Sequence, residues 1–282
     1  MSAPVLVVLR LGADHRVSGW AKTPRAARDW DLVLSPYQEV ADLSAFEGEV
    51  VPAPGGKWEA LHALFVARPE LWEHRARIWM PDDDLEGDAA TVARFLALAR
   101  ARELSLAQPA LTPDSAFSHF VTVRHLLTTV RYTNFVELMA PLATPEVLRA
   151  SLPMMEGRAG AKGLDYLWAR GLPPRAVGVV DAAPMRHARP LGGALAPAMA
   201  KVGRDLEAER AAFFAAHLGG AHPRSRSLGH DGPLGRGRPG RACVTLAGAL
   251  TVALSPPLWR RAALVRAGKT LWAQIARADD AP

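Results

Sequence analysis

The chain has 282 residues, 49% apolar and 22% charged, with a single cysteine, Cys243. That length allows one large domain or two small ones with a sizeable core, and one cysteine excludes a disulfide within the chain. The formal charge of +6 is uneven: Met199 to Pro282 holds 13 Lys/Arg against 6 Asp/Glu, and the remaining residues hold 21 against 22. The basic character therefore belongs to the tail and does not mark the body as a nucleic-acid binder.

Val5 to Leu9 is a continuous apolar, β-branched run and reads as a buried strand. With Pro4 it is too short for a secretory leader, and Arg10 ends it. No stretch approaches the roughly 20 apolar residues of a membrane span, so a cytoplasmic protein is expected. Trp30 to Ser35 reads as a second strand closed by Pro36, and Val50-Val51 as a short third. Lys57 to Val66 has helical spacing, with Trp58, Leu61, Leu64 and Phe65 on one face. Ala76 to Met80 is a further strand that runs into Pro81 and three aspartates. Asp88 caps a helix through Arg102 with Val92, Phe95, Leu96 and Ala99 inward. Strands follow at Leu104 to Ala107, at Asn134 to Met139 and at Val177 to Val180, the last ending at Asp181. Short helices are expected over 145–152 and 164–169, and a long one over 195–218.

This alternation predicts an α/β fold with a mixed, mainly parallel sheet flanked by helices. Residues 1–218 form the expected catalytic domain. Gly219 to Arg241, rich in Gly, Pro and Arg, reads as a flexible basic linker. Residues 242–282 form a C-terminal helical tail.

Ligands of open α/β sheets bind beyond the carboxyl ends of strands. Asp82, Asp83 and Asp84 sit at such an end. Clustered carboxylates repel one another unless a cation lies among them, and Mg²⁺ or Mn²⁺ with oxygen ligands would also hold a diphosphate. The plain alternative is a solvated acidic turn feeding the next helix. Asp181, with His187 six residues on, is a second strand-end candidate, since a distant histidine can complete a site begun by aspartates. Asp165, after Gly163, is either a general base or an N-cap.

Lys57-Trp58, Met80-Pro-Asp-Asp-Asp84, Leu106-Ala-Gln-Pro-Ala-Leu111 with Ser115 and His119, Arg131 to Pro141, Gly163-Leu-Asp165 with Trp168, and Val177-Gly-Val-Val-Asp181 with His187 occur in that order. Together they resemble the domain of unknown function 707 family over about residues 1–190. The resemblance implies a Rossmann-like fold of the GT-A glycosyltransferase type, acting in polysaccharide biosynthesis. It implies that Asp82, Asp84 and His187 hold Mn²⁺ or Mg²⁺, with Asp83 near the donor ribose or sugar. Asp165 or Glu137 would be the base. Gln108, Ser115, His119 and Asn134 would meet substrate hydroxyls, Lys57 a phosphate, and Trp168, like Trp58 and Trp79, would stack on sugar or pack in the core. The implied partners are a nucleotide-diphospho-sugar donor and a glycan or lipid-linked acceptor.

The tail, Leu258 to Ala276, is a basic amphipathic helix with tryptophans. It could lie on an anionic membrane surface or dock on the main domain; nucleic acid is not an expected partner. A metal-dependent phosphoryl transferase or hydrolase, and a non-catalytic carbohydrate-binding protein, are the competing functions. No P-loop, Gly-x-Ser-x-Gly elbow or Cys-x-x-Cys pair is present, which leaves nucleotide triphosphatase, serine hydrolase and structural-zinc readings without support.

Overall fold

The computed structural model describes residues 4–17, 19–190, 195–220, 223–232, 235–237 and 241–275. The first strands form where apolar β-branched runs predict them: β1 (Val5–Leu11), β2 (Trp30–Pro36), the two-residue β3 (Glu49–Val50) and β4 (Ile78–Trp79), with α1 (Lys57–Ala67) between the last two. β1 pairs with β2 in parallel from Val5 opposite Trp30 to Leu11 opposite Pro36, and on its other side with β4. The spatial order β3-β2-β1-β4 therefore reverses direction between β1 and β4. In doubly wound sheets that reversal opens a crevice outside the strand ends. The chain leaves β4 into the three aspartates at this crevice.

Beyond β4 follow β5 (Leu85–Glu86), α2 (Ala89–Ala101), β6 (Leu106–Leu111), β7 (Val130–Thr133), β8 (Leu142–Ala143), α3 (Pro145–Met155), β9 (Val177–His187), α4 (Leu195–Lys201), α5 (Leu206–Leu218), β10 (Ser227–Gly232), β11 (Gly235–Gly237), α6 (Arg241–Leu254) and α7 (Arg261–Ile275). The sheet order is β11-β10-β7-β9-β6-β8-β4-β1-β2-β3, with β5 paired to β9. β1, β2, β3, β4, β6, β9 and β10 run one way, and β7, β8 and β11 run against them. The sheet is thus mixed and mostly parallel.

Side chains alternate across the strands and feed two cores. Val7, Leu9 and Leu11 pack with Trp20, Trp79, Phe95 and Leu96 on one face. Leu6 and Val8 pack with Trp58, Leu61, Val147 and Phe213 on the other. Helices therefore cover both faces, α2 and α7 on one, α1, α3 and α5 on the other.

Three expectations are corrected. Asn134 to Met139 is not a strand; the pairing strand β7 lies just before it. Side chains and loops take its backbone groups instead: Gln108 accepts from the Glu137 N–H (2.6 Å), Trp168 donates to Val136 O (3.1 Å) and Lys57 donates to Leu138 O and Met139 O. These local partners replace a ladder. The long helix over 195–218 breaks in two, because Gly203 turns with φ +74 and Asp205 caps α5 through the Glu207 and Ala208 N–H groups.

The expected linker contains β10, paired to β7 and β11. Its glycine-rich composition offers little apolar burial, and polar bonds hold it instead. Tyr132 and Arg102 donate to Asp231 at 2.8 and 2.9 Å, and Gln274 pairs with both backbone groups of Ser227. Residues 221–222, 233–234 and 238–240 of that segment lie outside the described residues. The tail packs on the main sheet: Leu258, Ala263 and Ala267 join the core of β1, and Thr251 accepts from the Leu126 N–H at 2.8 Å.

Candidate active site

The three aspartates leave β4 with alternate directions, and each meets a different cation. Lys57 Nζ lies 2.6 Å from Asp82 Oδ1 and also donates to Leu138 O and Met139 O. Arg189 Nη1 lies 2.6 Å from Asp83 Oδ1, and Asp83 Oδ2 accepts from the Gly12 N–H (2.8 Å) and Tyr37 Oη (3.3 Å). His187 Nε2 lies 3.1 Å from Asp84 Oδ2. The repulsion expected of the triplet is therefore relieved by the protein's own cations, one apiece. Gly12 belongs to the design of the crevice: a Cβ there would come within 2.2 Å of Tyr37 Oη.

His187 arrives through an irregularity in β9. The β6–β9 register jumps from Pro109 opposite Val180 to Leu111 opposite Met185, so residues 181–184 bulge out. Bulges re-aim the strand that carries them. Beyond the bulge β9 turns to β5, setting Leu85 opposite His187 and the Ala188 N–H on Asp84 O at 3.0 Å. His187 Nδ1 lies 2.7 Å from Ala116 O, and Ser115 Oγ accepts the His187 N–H at 3.1 Å. Nδ1 can only donate to that carbonyl, which leaves Nε2 as the free ring nitrogen whenever the ring is neutral.

The charges are strained by burial. Burial pushes the Lys57 ammonium down, against the pull of Asp82. It pushes Asp82 up, with Lys57 opposing and Asp84 adding to the rise. Burial disfavours the His187 cation, yet its hydrogen bond and ion pair with Asp84 raise it to about 9. Burial likewise opposes the Asp84 anion, and His187 overcomes this to hold it below its usual value. Lys57 also occupies the first turn of α1, where the helix dipole disfavours a cation; Asp82 and two carbonyls offset that.

Asp84 Oδ1 is buried and has no hydrogen-bond partner. Among the described residues, the other carboxylate oxygen so placed is Glu137 Oε2. Two carboxylates and an imidazole whose Nε2 can ligate once it has lost its proton form a donor set that suits Mn²⁺ or Mg²⁺, and the orphaned oxygen fits it. Among the described residues, no three His, Cys, Asp or Glu side chains stand close enough as they lie to hold a metal. Lys57 instead engages Asp82 Oδ1. Its other partners, the two carbonyls, would retain it if Asp82 turned inward.

Glu137 and Asp165 approach the same interior. Burial raises Glu137 to about 7, with Asp165 and Asp82 adding and His187 opposing. Burial raises Asp165 to about 7, against the Gly163 N–H that it accepts at 3.2 Å. Glu137 Oε2 is buried without a partner. Asp165 sits where α5 presses closest: Gly163 has φ +114, and a Cβ there would come within 2.5 Å of Phe213. His119 flanks this pair, 4.5 Å from Phe135 and 6.0 Å from Tyr166 between ring centres. Burial and then Arg266 lower it to about 4.

The structure thus brings together Asp82, Asp84, His187, Lys57, Glu137 and Asp165, with Asp83 at the edge. Gln108 accepts from the Glu137 N–H and donates to Pro109 O, and Ser115 accepts from the His187 N–H and bonds Thr112 Oγ1. Asn134 and Trp168 do not join the cluster. Asn134 bonds Arg224 O (3.0 Å) and the Arg226 N–H (2.8 Å), bracing the approach to β10. Trp168 is buried edge-on against Trp58 at 5.7 Å, and Trp79 donates to Ala140 O in the core. None of the three indoles offers a face to a sugar. Arg131 and Asp181 form a fully buried ion pair at 2.8 Å, so neither lines a pocket. Sequence reasoning missed Arg189, Tyr37 and Gly12; only the closeness of Arg189 to His187 in the chain pointed to it. Two cavities of about 240 and 410 Å³ lie against β2 and α1, and neither is lined by an aspartate of the triplet.

No family model matches the chain, so the likeness to the domain of unknown function 707 family rests on the quoted motifs alone. No curated protein matches it either. Solved structures resemble it distantly. Glucosyl-3-phosphoglycerate synthase from Mycobacterium tuberculosis, in complex with Mn²⁺, UDP-glucose and phosphoglyceric acid, is 14% identical, covering 77% of this chain and 80% of its own, at a TM-score of 0.48. TarS 1–349 of S. aureus, in complex with UDP-GlcNAc, is 10% identical, covering 68% and 60%, at 0.45. GalNAc-T7 with UDP, GalNAc and Mn²⁺ is 11% identical, covering 68% and 45%, at 0.46. Likeness at this distance assigns neither activity nor residue roles.

Proposed function

We propose that the chain is a metal-dependent glycosyltransferase that moves a sugar from a nucleotide-diphospho-sugar to a hydroxyl of a glycan or related acceptor. One observation carries the reading. At the crevice between β1 and β4, Asp84 keeps a buried, unpartnered oxygen beside a histidine whose Nδ1 is already committed to a carbonyl. The ordered motifs that resemble the domain of unknown function 707 family point the same way.

Asp82, Asp84 and His187 would hold Mn²⁺ or Mg²⁺, which when bound supplies charge neutralisation at the departing diphosphate. Asp83, fixed by Arg189 and the Gly12 N–H, would receive the donor ribose or sugar. Lys57 and Arg189 would add positive charge for the phosphates. Glu137 or Asp165 would take the acceptor hydroxyl proton as that oxygen bonds the anomeric carbon and the bond to the diphosphate oxygen breaks. A carboxyl near neutrality suits a base at physiological pH. Glu137 is favoured, because its Oε2 has no partner while Asp165 already accepts a backbone N–H. Gln108 and Ser115 would act as positioning residues.

The test is a thermal-shift and transfer assay with Mn²⁺ or Mg²⁺ and a panel of nucleotide sugars. Stabilisation that needs metal and nucleotide together, with transfer lost in Asp84→Asn, is expected. Transfer that survives Asp82→Ala/Asp84→Ala overturns the reading. Phosphate release from phosphoesters without a sugar donor would favour a phosphoryl transferase on the same residues.

A further inference from the structure

The C-terminal helix pair carries apolar surface that the chain's own packing leaves uncovered. Six of the eleven large apolar side chains that stand exposed among the described residues lie between 241 and 275: Leu246, Leu254, Trp259, Leu264, Val265 and Trp272. Trp259 and Trp272 are 57% and 69% exposed. On α7, burial separates two sides. Ala263, Ala267 and Gln274 face the protein, while Arg261, Leu264, Val265, Lys269 and Trp272 face outward. At 100° per residue the outward set falls on one arc. An exposed arc centred on tryptophan and aliphatic residues is not a solvated face, and it is too apolar to be explained by the fold beneath it.

The charge on this surface has one sign. Residues 243–275 contain Arg260, Arg261, Arg266 and Lys269 and no Asp or Glu. Tryptophan at the level of lipid headgroups, aliphatic side chains below it and bases against acidic headgroups is the pattern by which a helix lies in a membrane interface. A second copy of the chain fits worse. A two-fold contact through the same face would set Arg261 and Lys269 against their own repeats with no acid between them. Nucleic acid fits worse as well, because the middle of the arc offers indole and aliphatic surface with few bases to meet phosphates.

We infer that the outward face of α7, with Trp259 at its start, docks on an anionic lipid surface. No helix among the described residues is long and apolar enough to cross a membrane, so the contact is peripheral. The helix that carries this face meets the segment leading to the candidate site: Arg266, on its flank, lies 5.7 Å over the ring of Phe117, two residues before His119. If the glycosyltransferase reading holds, on which this one consequence rests, the acceptor is a membrane-bound one presented at that edge.

The experiment is co-sedimentation of the full chain with phosphatidylcholine vesicles, with and without phosphatidylglycerol, without any sugar nucleotide. Binding to the anionic vesicles at low salt, weakened about tenfold or more in neutral vesicles or high salt, is expected. Trp272→Ser and Lys269→Glu should each weaken it about tenfold, with unchanged circular dichroism and urea midpoint, since both side chains are exposed. Equal partition into neutral vesicles, or none into anionic ones, overturns the proposal. So does a dimer that Trp272→Ser dissociates in the absence of vesicle binding, or a salt-sensitive shift with duplex DNA alone. Because no substrate enters the assay, failure of the transferase reading would leave its outcome unchanged, and the reverse also holds.

Discussion

Two acidic sites in this protein read alike in the sequence and share little else in the structure: Asp181 lies within β9, and the triplet follows β4. At Asp181 both oxygens are used: Oδ1 accepts from the His125 N–H and Arg131, and Oδ2 from Thr128 and Arg131. Arg131 spends its remaining donors on Val121 O and Val123 O at 2.7 Å each, and neither side chain meets solvent. At Asp82 to Asp84 the pairing is incomplete. One oxygen is orphaned, a lysine is held at a helix N-terminus and burial pushes several ionisations off their usual values. A saturated network fixes a fold. An unsaturated one in a crevice is where ligands bind and chemistry is done.

Breaking the saturated cluster should have the largest effect. Asp181→Ala strands the Arg131 charge in the interior, and a loss of about 3–5 kcal/mol in urea unfolding is expected. Adding Arg131→Met should restore part of that, because the uncompensated charge is gone. A small loss for the single variant would show that water reaches the pair and that the contrast is false. The unsaturated cluster should behave the opposite way. Asp84→Asn keeps the shape and should cost less stability than Asp181→Ala. Its transfer rate should fall about 10²–10³-fold, equivalent to roughly 3–4 kcal/mol at the barrier. Full transfer with a large drop in the urea midpoint would make Asp84 a structural residue like Asp181.

The sequence separates these clusters poorly. Both read as a strand running into an acid. β1, β2, α1 and α2 are legible because apolar spacing and the Asp88 cap, which accepts the Thr91 N–H at 2.7 Å, are local signals. The partner of Asp181, Arg131, lies 50 residues away in the chain. His187 reaches Asp84 only because a four-residue bulge redirects β9 onto a two-residue β5, and no periodicity announces that. β10 escapes detection because polar bonds to Asp231 and Ser227, rather than an apolar run, hold it. The resemblance implies one site for the triplet, Glu137, Asp165 and His187; it does not announce that Lys57, Arg189 and His187 each pair with a different aspartate.

Glu137 gives a smaller effect with a definite sign. Its carboxyl rises from 4.5 to about 7 in the folded chain. Below about pH 4 it is protonated in both states and contributes no difference. As pH rises from there towards 7 the unfolded chain loses its proton first, so the folded state is progressively penalised, by about 3 kcal/mol in all. Asp165 acts in the same direction, and the Asp82 and His187 charges face Glu137 from either side. Glu137→Gln should therefore unfold at higher urea than the parent near pH 8 and at about the same urea near pH 4. Equal gains at both would mean that packing, and not a strained ionisation, explains the variant. Transfer by Glu137→Gln should also lose its rise with pH near 7, which a merely structural glutamate would not cause.

The smallest effect belongs to a residue that both readings claim. Asn134 lies three residues from Glu137, and the resemblance sets it against substrate hydroxyls, yet its amide joins Arg224 O and the Arg226 N–H. That brace holds the entry to β10, which in turn shields Tyr132 and Asp231. Asn134→Ala removes two hydrogen bonds near the surface and should lower stability by about 1–2 kcal/mol. KM for the acceptor should stay within about twofold, because a bond worth a tenfold change would need direct contact of about 1.4 kcal/mol. A rise in KM with the urea midpoint unchanged would put Asn134 back at the acceptor, and the boundary between the saturated scaffold and the unsaturated crevice would then have to be drawn on the other side of β7.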